Sequence, residues 1–387
     1  MTVAAAVVVT ACGSGNQLLQ PLTSRYESTT GNGIVRDCGY SAPLPGAPGT
    51  SLWLFCDTEI TSQNGRQVSG LILGRGTAAE GPYTQGQAPG TLTELPTPST
   101  ATPSTATPGT ATPGTATPGT EQEQGAPEPF LPAPSGLTLP ASDQPCAGGD
   151  GTYPARWFSG VARVPGSGQL LISFVDYCVT GGDVFTAENS GLVGYTPAGN
   201  LLGPPAIVFE VQGGQQLPPQ WTLGSPVFTG GYLYLFGSCA AGHGCGAAGV
   251  FLARTAASPI WWDDAFTYRY WTGRGWSSDP ASARSVLTST DPLAISAGDY
   301  TADGHGLVIV EETGVTGNFT IWQAVAPAGP WRRIGDGRVP CTPGSTRGPG
   351  GLCRALIGHP ELSTGSKLLI SFFNPGNGDV EVAAFPW

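Results

Sequence analysis

Lysine is nearly missing from this chain. Lys367 is the only one among 387 residues, and histidine occurs three times, at His243, His305 and His359. Schiff-base chemistry therefore has one candidate, placed on an expected strand edge. Cys239-x3-His243-x-Cys245 could be half of a metal site, but no second cluster lies nearby, and a tight disulfide loop is the preferred reading. No metal or cofactor is expected. The chain has 16 basic residues against 27 acidic ones and a net charge of −11, which argues against nucleic-acid binding through a basic face. There is no G-x-S-x-G elbow and no Walker loop, so serine-hydrolase and P-loop readings lack support. No stretch shows long helical apolar spacing, and none reaches the ~18 apolar residues of a membrane span.

Glycine (59), proline (37) and tryptophan (10) are abundant, a bias toward turns and strands. The N-terminus carries a short apolar run, Ala4 to Val9, then Val9-Thr10-Ala11-Cys12 and polar residues. That pattern looks like a bacterial lipobox, with residues 1–12 a lipoprotein signal segment and Cys12 the lipidated residue. The expected protein is exported and tethered to the membrane only through that lipid, with a monomeric body. Eight cysteines remain, and an even number in an oxidising compartment reads as disulfides. Local pairing is expected: Cys38–Cys56, Cys146–Cys178, Cys239–Cys245 and Cys341–Cys353.

The first pair is the most informative. IVRDCGYSAPLPGAPGTSLWLFCDTEI, residues 34–60, opens on Asp37-Cys38 and closes on Cys56-Asp57. A hairpin turning in the Pro45–Gly49 breaker run, with paired numbers summing to 94, sets Cys38 opposite Cys56 and Asp37 opposite Asp57. Opposed residues have Cβ atoms about 4.5–5.5 Å apart. A disulfide would then sit just inside the open end of the hairpin, with two carboxylates at its mouth.

Thr97 to Thr120 repeats Thr-Ala-Thr-Pro-Gly with little else. With flanks of the same bias it reads as a disordered insertion over 94–140. An internal repeat straddles it. GYSAPLPGAPGTSLWLFCD (39–57), FSGVARVPGSGQLLISFVD (158–176), GSPVFTGGYLYLFGS (224–238), AISAGDYTADGHGLVIVEE (294–312) and GHPELSTGSKLLISFFN (358–374) share one plan. Each has a small-residue strand, a glycine turn and an apolar strand. Aligning Leu52, Leu170, Leu233, Leu307 and Leu368 gives a period of roughly 60–70 residues once the insertion is set aside. The expected fold is an all-β five-bladed propeller, with an N-terminal segment and blade 1 over 13–93 and blades 2 to 5 over 141–387. The rival is two unrelated β domains joined by a linker. A lone blade over 13–93 could not bury both its faces, which favours the ring.

Two nearby carboxylates are the equipment of a glycosidase. Like charges raise one pKa, so that one group donates a proton while its partner stays ionised. Aspartate at strand ends is also ordinary turn chemistry. Arg36-Asp37-Cys38-Gly39-Tyr40-Ser41 followed by Leu52-Trp53-Leu54-Phe55-Cys56-Asp57-Thr58 resembles a family of bacterial five-bladed propellers. Its signature is R-D-G-G-Y-S, a turn, then L-W-L-F-G-D-T. The likeness continues through Arg156-Trp157-Phe158-Ser159-Gly160, Tyr232-Leu233-Tyr234-Leu235-Phe236 and His359-Pro360-Glu361-Leu362-Ser363.

Characterised members of that family are endo-acting D-arabinofuranosidases, which cut the arabinan of certain bacterial envelopes. The resemblance implies a glycan substrate and matches Asp37 and Asp57 to the family's two essential carboxylates, one the nucleophile and the other the acid/base of a double displacement. Asp37 is assigned here as nucleophile and Asp57 as acid/base, an order the sequence does not decide. Cys38 and Cys56 replace the two glycines of the signature, and a disulfide requires both replacements at once. Trp157, Trp221, His359 and Glu361 are candidates for lining sugar subsites, the tryptophans equally for packing between blades. Asp291 is a spare carboxylate on a comparable strand. Two other readings stay open: a non-catalytic carbohydrate-binding propeller and a structural surface lipoprotein. The carboxylate pair separates them, because neither rival needs it.

Overall fold

The computed structural model describes residues 17–63, 66–72, 74–101, 125–137, 146, 152–180, 184–210, 222–239, 248–288, 292–342 and 352–387. Five sheets, antiparallel except for one edge strand, form the blades of a propeller. Their inner strands are Gly33–Pro43, Tyr153–Arg163, Thr222–Thr229, Pro292–Tyr300 and Arg354–Gly358. Each inner strand touches the next around the ring, and the fifth returns to the first. The second strands are Thr50–Gln63, Leu170–Thr180, Tyr232–Cys239, Gly306–Thr313 and Lys367–Asn374. The five aligned leucines all fall on these second strands, each at most 4 % exposed.

The apolar runs have a simple cause. A second strand lies between two neighbouring blades, so both of its faces are buried and successive side chains go to opposite sides. Leu52 and Leu54 pack toward blade 2, whereas Trp53 and Phe55 pack toward blade 5. Leu233 and Leu235 face blade 2, and Tyr234 and Phe236 face blade 4. The core is accordingly divided into five interface clusters, one between each pair of adjacent blades. Close to the axis, hydroxyls tie the blades together. Ser371 Oγ donates to Gly39 O at 3.3 Å, Ser173 Oγ donates to Gly224 O at 3.2 Å, and Gly358 N–H donates to Ser296 Oγ at 3.2 Å. Gly160 needs its missing side chain, because a Cβ there would lie 2.2 Å from Ser225 Cα.

Gln17–Pro21, within the stretch given to the N-terminal segment and blade 1, pairs antiparallel with Asp379–Pro386 as the outermost strand of blade 5. One boundary differs from the sequence reading: the insertion expected over 94–140 is narrower. Glu94 ends the outer strand of blade 1 and accepts a 2.8 Å ion pair from buried Arg36. Ser99–Ala101 adds to the edge of blade 2 in parallel with Asn200–Leu202. Phe130 and Leu131, each 1 % exposed, fill the interface between blades 1 and 2. These are apolar residues inside a polar bias, and burial holds them. Residues 102–124 lie outside the described residues.

Among the described residues three disulfides are present, Cys38–Cys56, Cys146–Cys178 and Cys341–Cys353. They are the mark of an oxidising, extracytoplasmic compartment. Cys12 and Cys245 lie outside the described residues, and with them the lipid site and the Cys239–Cys245 pairing. No helix among the described residues is long and apolar enough to cross a membrane.

Candidate active site

The blade 1 hairpin follows the register that sums to 94 at both ends. Val35 pairs with Glu59 and Arg36 with Thr58, and Ser41 pairs with Trp53 and Ala42 with Leu52. Between these stretches the ladder is broken by an irregularity spanning Arg36 to Tyr40, where Cys38 pairs with Phe55 instead. The cause is a pair of left-handed residues, Cys38 at φ 67° and Gly39 at φ 127°. The bulge turns Asp37 out of regular pairing.

Asp37 is gripped from two sides. Its Oδ1 accepts the Cys38 N–H at 2.6 Å, and its Oδ2 accepts Arg354 Nε at 2.7 Å, from the first residue of the blade 5 inner strand. Asp57 also uses both oxygens. Tyr153 O–H donates to Oδ2 at 2.8 Å and Trp157 Nε1–H donates to Oδ1 at 2.6 Å, both from the blade 2 inner strand. Burial pushes the Asp57 carboxyl up to about 6; the Tyr153 and Trp157 donors oppose the shift, the charge of Asp37 adds to it, and Arg354 offsets part of it. The two aspartates thus sense each other but have unlike surroundings, one facing a guanidinium and the other held by two neutral donors.

A third carboxyl stands behind this pair. Glu312, 1 % exposed, closes the second strand of blade 4. Its Oε2 accepts the N–H groups of Ala355 at 2.9 Å and Leu356 at 3.3 Å, and Ala355 has a φ of 59°. Glu312 therefore secures the backbone that follows Arg354. Burial pushes its pKa up to about 8, with the Leu356 N–H opposing and the Asp37 charge reinforcing the shift. Its Oε1 has no hydrogen-bond partner, which suits a neutral acid. At pH 7 Glu312→Gln should accordingly be tolerated. Glu312→Ala leaves two backbone donors unpaired and should cost about 1–3 kcal/mol; urea denaturation of both variants checks this.

The sequence-derived candidates are distributed over two places. Trp157 is at the carboxylates, where its indole donates to Asp57 and its ring lies 4.6 Å from that of Tyr177. His359 and Glu361 belong to the C-terminal ends of the inner strands. There Tyr40, Ser41, Arg163, Phe228, Asp299 and Glu361 help to line a cavity of about 480 Å³ along the channel. His359 is fully buried, with its ring centroid 5.0 Å from that of Trp53. Ser41 donates to Glu361 Oε1, so His359 Nδ1–H, at 2.6 Å, donates to the Ser41 hydroxyl. Burial drives His359 down to about 3 and Glu361 up to about 7. His359 is therefore a neutral packing and hydrogen-bonding group rather than a surface that a sugar could touch. Trp221 and Asp291 lie outside the described residues.

Arg354, Tyr153 and Glu312 were missed in the sequence. Arg354 had a faint signal, since it follows Cys353 as an isolated cation at the start of an inner strand. Among the described residues no group of three or more His, Cys, Asp or Glu side chains is arranged to hold a metal ion.

No protein-family model and no curated protein matches the chain. Solved structures do. A Bacteroides ovatus protein provisionally named a hydrolase superimposes with a TM-score of 0.56 at 14% identity, over 95% of this chain and 87% of that one. Zg3597 from Zobellia galactanivorans, a family 117 glycoside hydrolase, gives a TM-score of 0.50 at 11% identity, over 96% and 90%. A GH43_1 enzyme from Xanthomonas citri gives 0.45 at 11% identity, over 95% and 90%. At these identities the likeness establishes the propeller fold and nothing about the reaction.

Proposed function

We propose that this chain is a surface-anchored glycoside hydrolase that cleaves an exported furanose polymer, the D-arabinan of bacterial envelopes being the substrate to which the blade 1 motif points. One observation carries the reading: two aspartates, close enough that the charge of Asp37 raises the proton affinity of Asp57, have been given unlike electrostatic surroundings. Asp37 faces the Arg354 cation, and Asp57 has its proton affinity raised to about 6 by burial. That split is what a glycosidase requires of its two carboxyls.

In the first step Asp37 attacks the anomeric carbon while Asp57 gives its proton to the departing glycosidic oxygen. In the second, Asp57 takes a proton from water as the water oxygen displaces Asp37 from that carbon. Trp157 and Tyr153 orient Asp57, and Arg354 orients Asp37. A lipid on Cys12 would keep the enzyme beside its substrate.

The test is release of reducing ends from purified D-arabinan across pH 4 to 8. The acid step needs protonated Asp57, so the basic limb of kcat/KM, which reports the free enzyme, should fall with a midpoint near 6. Folded protein that releases nothing at any of these pH values contradicts the proposal. Binding of arabinan without cleavage would assign the cleft to carbohydrate recognition.

A further inference from the structure

Cys38 occupies a backbone conformation that glycine adopts freely and that a Cβ disfavours, at φ 67°. A cysteine is nevertheless there, bonded across the hairpin to Cys56 with the Cα atoms 5.4 Å apart. The local consequences all concern the carboxylates. The left-handed residue directs the Cys38 N–H onto Asp37 Oδ1 at 2.6 Å. On the opposite strand, Cys56 immediately precedes Asp57. Both cysteines are buried, and they pack against Trp157, Tyr40 and Ile357. Trp157 is the donor to Asp57 Oδ1. Ile357 lies on the short strand that begins with Arg354, the donor to Asp37 Oδ2. Tyr40 and Ile357 also line the 480 Å³ cavity, so the disulfide packs against two of that cavity's lining residues as well as against the Trp157 donor to Asp57.

We infer that the Cys38–Cys56 disulfide is a positioning element for the carboxylate pair: a covalent crossbar that holds the Cys38 amide on Asp37 and the Trp157 indole on Asp57. No bond to sulfur forms or breaks in the reaction. The crossbar preserves the unlike surroundings of the two acids and keeps water from the Asp57 side. This inference rests on reading the pair as catalytic, and it adds a residue type to that site which a purely structural staple would not require.

The test is the double variant Cys38→Gly/Cys56→Gly. Glycine suits the left-handed position, so the hairpin keeps its path. The first readout needs no substrate: the Asp57 carboxyl is titrated by carbon-13 NMR in wild type and variant. With the crossbar gone the Asp57 side gains water, and its midpoint should fall from near 6 by at least about half a pH unit toward the ordinary aspartate range. The second readout is kinetic. On arabinan, kcat should drop about tenfold with KM within about twofold, and the basic limb should move acidward with the NMR midpoint. If the variant does not fold, Cys38→Gly/Cys56→Ala, which keeps a β-carbon in the second strand, takes its place. An unchanged midpoint beside a lowered melting temperature overturns the inference and leaves an ordinary staple. A shifted midpoint in a protein whose wild type cuts no arabinan sustains the crossbar and removes the catalytic reading instead.

Discussion

Asp37→Asn and Asp57→Asn each end arabinan cleavage while leaving the propeller folded. For Asp57 the loss should be about 10²–10⁴-fold in kcat, the range of a general acid. For Asp37 it should be larger, since without a nucleophile the two-step path has no first intermediate. The leaving group tells the two apart. An aryl furanoside with an acidic phenol needs no proton from the enzyme, so Asp57→Asn should still attack it in the first step, whereas Asp37→Asn should remain inactive on it. Equal turnover by wild type and both variants would make the pair structural.

The Asp57 variant also has a stability signature with a definite sign. Burial raises the Asp57 carboxyl from its ordinary 3.8 to about 6. The folded state then holds the proton more tightly than the unfolded chain does. The contribution of Asp57 to stability is fully present below pH 4 and is lost as the pH rises from 4 through 6. Asparagine has no such term. The melting temperature of Asp57→Asn relative to wild type should therefore rise between pH 4 and pH 7, whatever its offset at pH 4. A pH-independent difference would mean that the carboxyl is not perturbed.

Arg156→Met should produce the largest loss of stability of any single change considered. Arg156 makes a fork with Asp176, Nε to Oδ1 at 2.6 Å and the terminal nitrogen to Oδ2 at 2.8 Å. The two side chains are only 7 % and 2 % exposed. The guanidinium also lies 4.4 Å over the Phe174 ring and donates to Pro132 O at 3.2 Å, which ties down the segment carrying Phe130 and Leu131. Burial raises the Asp176 pKa even with its partner present. Removing the cation strands a buried carboxylate, at a cost of about 3–5 kcal/mol. Arg156→Met/Asp176→Leu should recover most of that, because the pair itself is worth far less than the penalty of splitting it. Urea midpoints of the two single variants and the double variant decide this, and additive losses would contradict it.

Much of the ring was legible because its grammar is local. A strand buried on both faces is apolar at successive positions over much of its length, with polar residues such as Ser173, Asp176 and Glu312 kept only where they find partners. The apolar runs containing Leu52, Leu170, Leu233, Leu307 and Leu368 therefore mark the second strands. The register of the first hairpin could be read from the mirrored Asp-Cys and Cys-Asp pairs, apart from the bulge. No residue type announces a cysteine at positive φ, and there the sequence rule gave way. Gln17–Pro21 was not legible: it is an edge strand with two of its five side chains partly covered and three exposed, so burial imprints no pattern on it. Arg354 was hidden for a different reason. Its partner lies 317 residues away, and a long-range ion pair leaves no spacing to detect. Glu312 likewise acts on backbone from another blade. Phe130-Leu131 could have been found, since two large apolar residues inside a Thr/Pro bias are a sign that the chain has returned to a core.

The most direct test of the two-carboxylate account is to trap the glycosyl–enzyme bond. A 2-fluoro arabinofuranoside with an activated leaving group should glycosylate the protein once, with loss of the leaving group, and then turn over slowly. Peptide mass analysis should place the added sugar on the peptide containing Asp37, and the same reagent should leave Asp37→Asn unlabelled. Labelling at another residue, or arabinan cleavage with the fluorosugar consumed but no covalent adduct formed, would contradict the role given to Asp37.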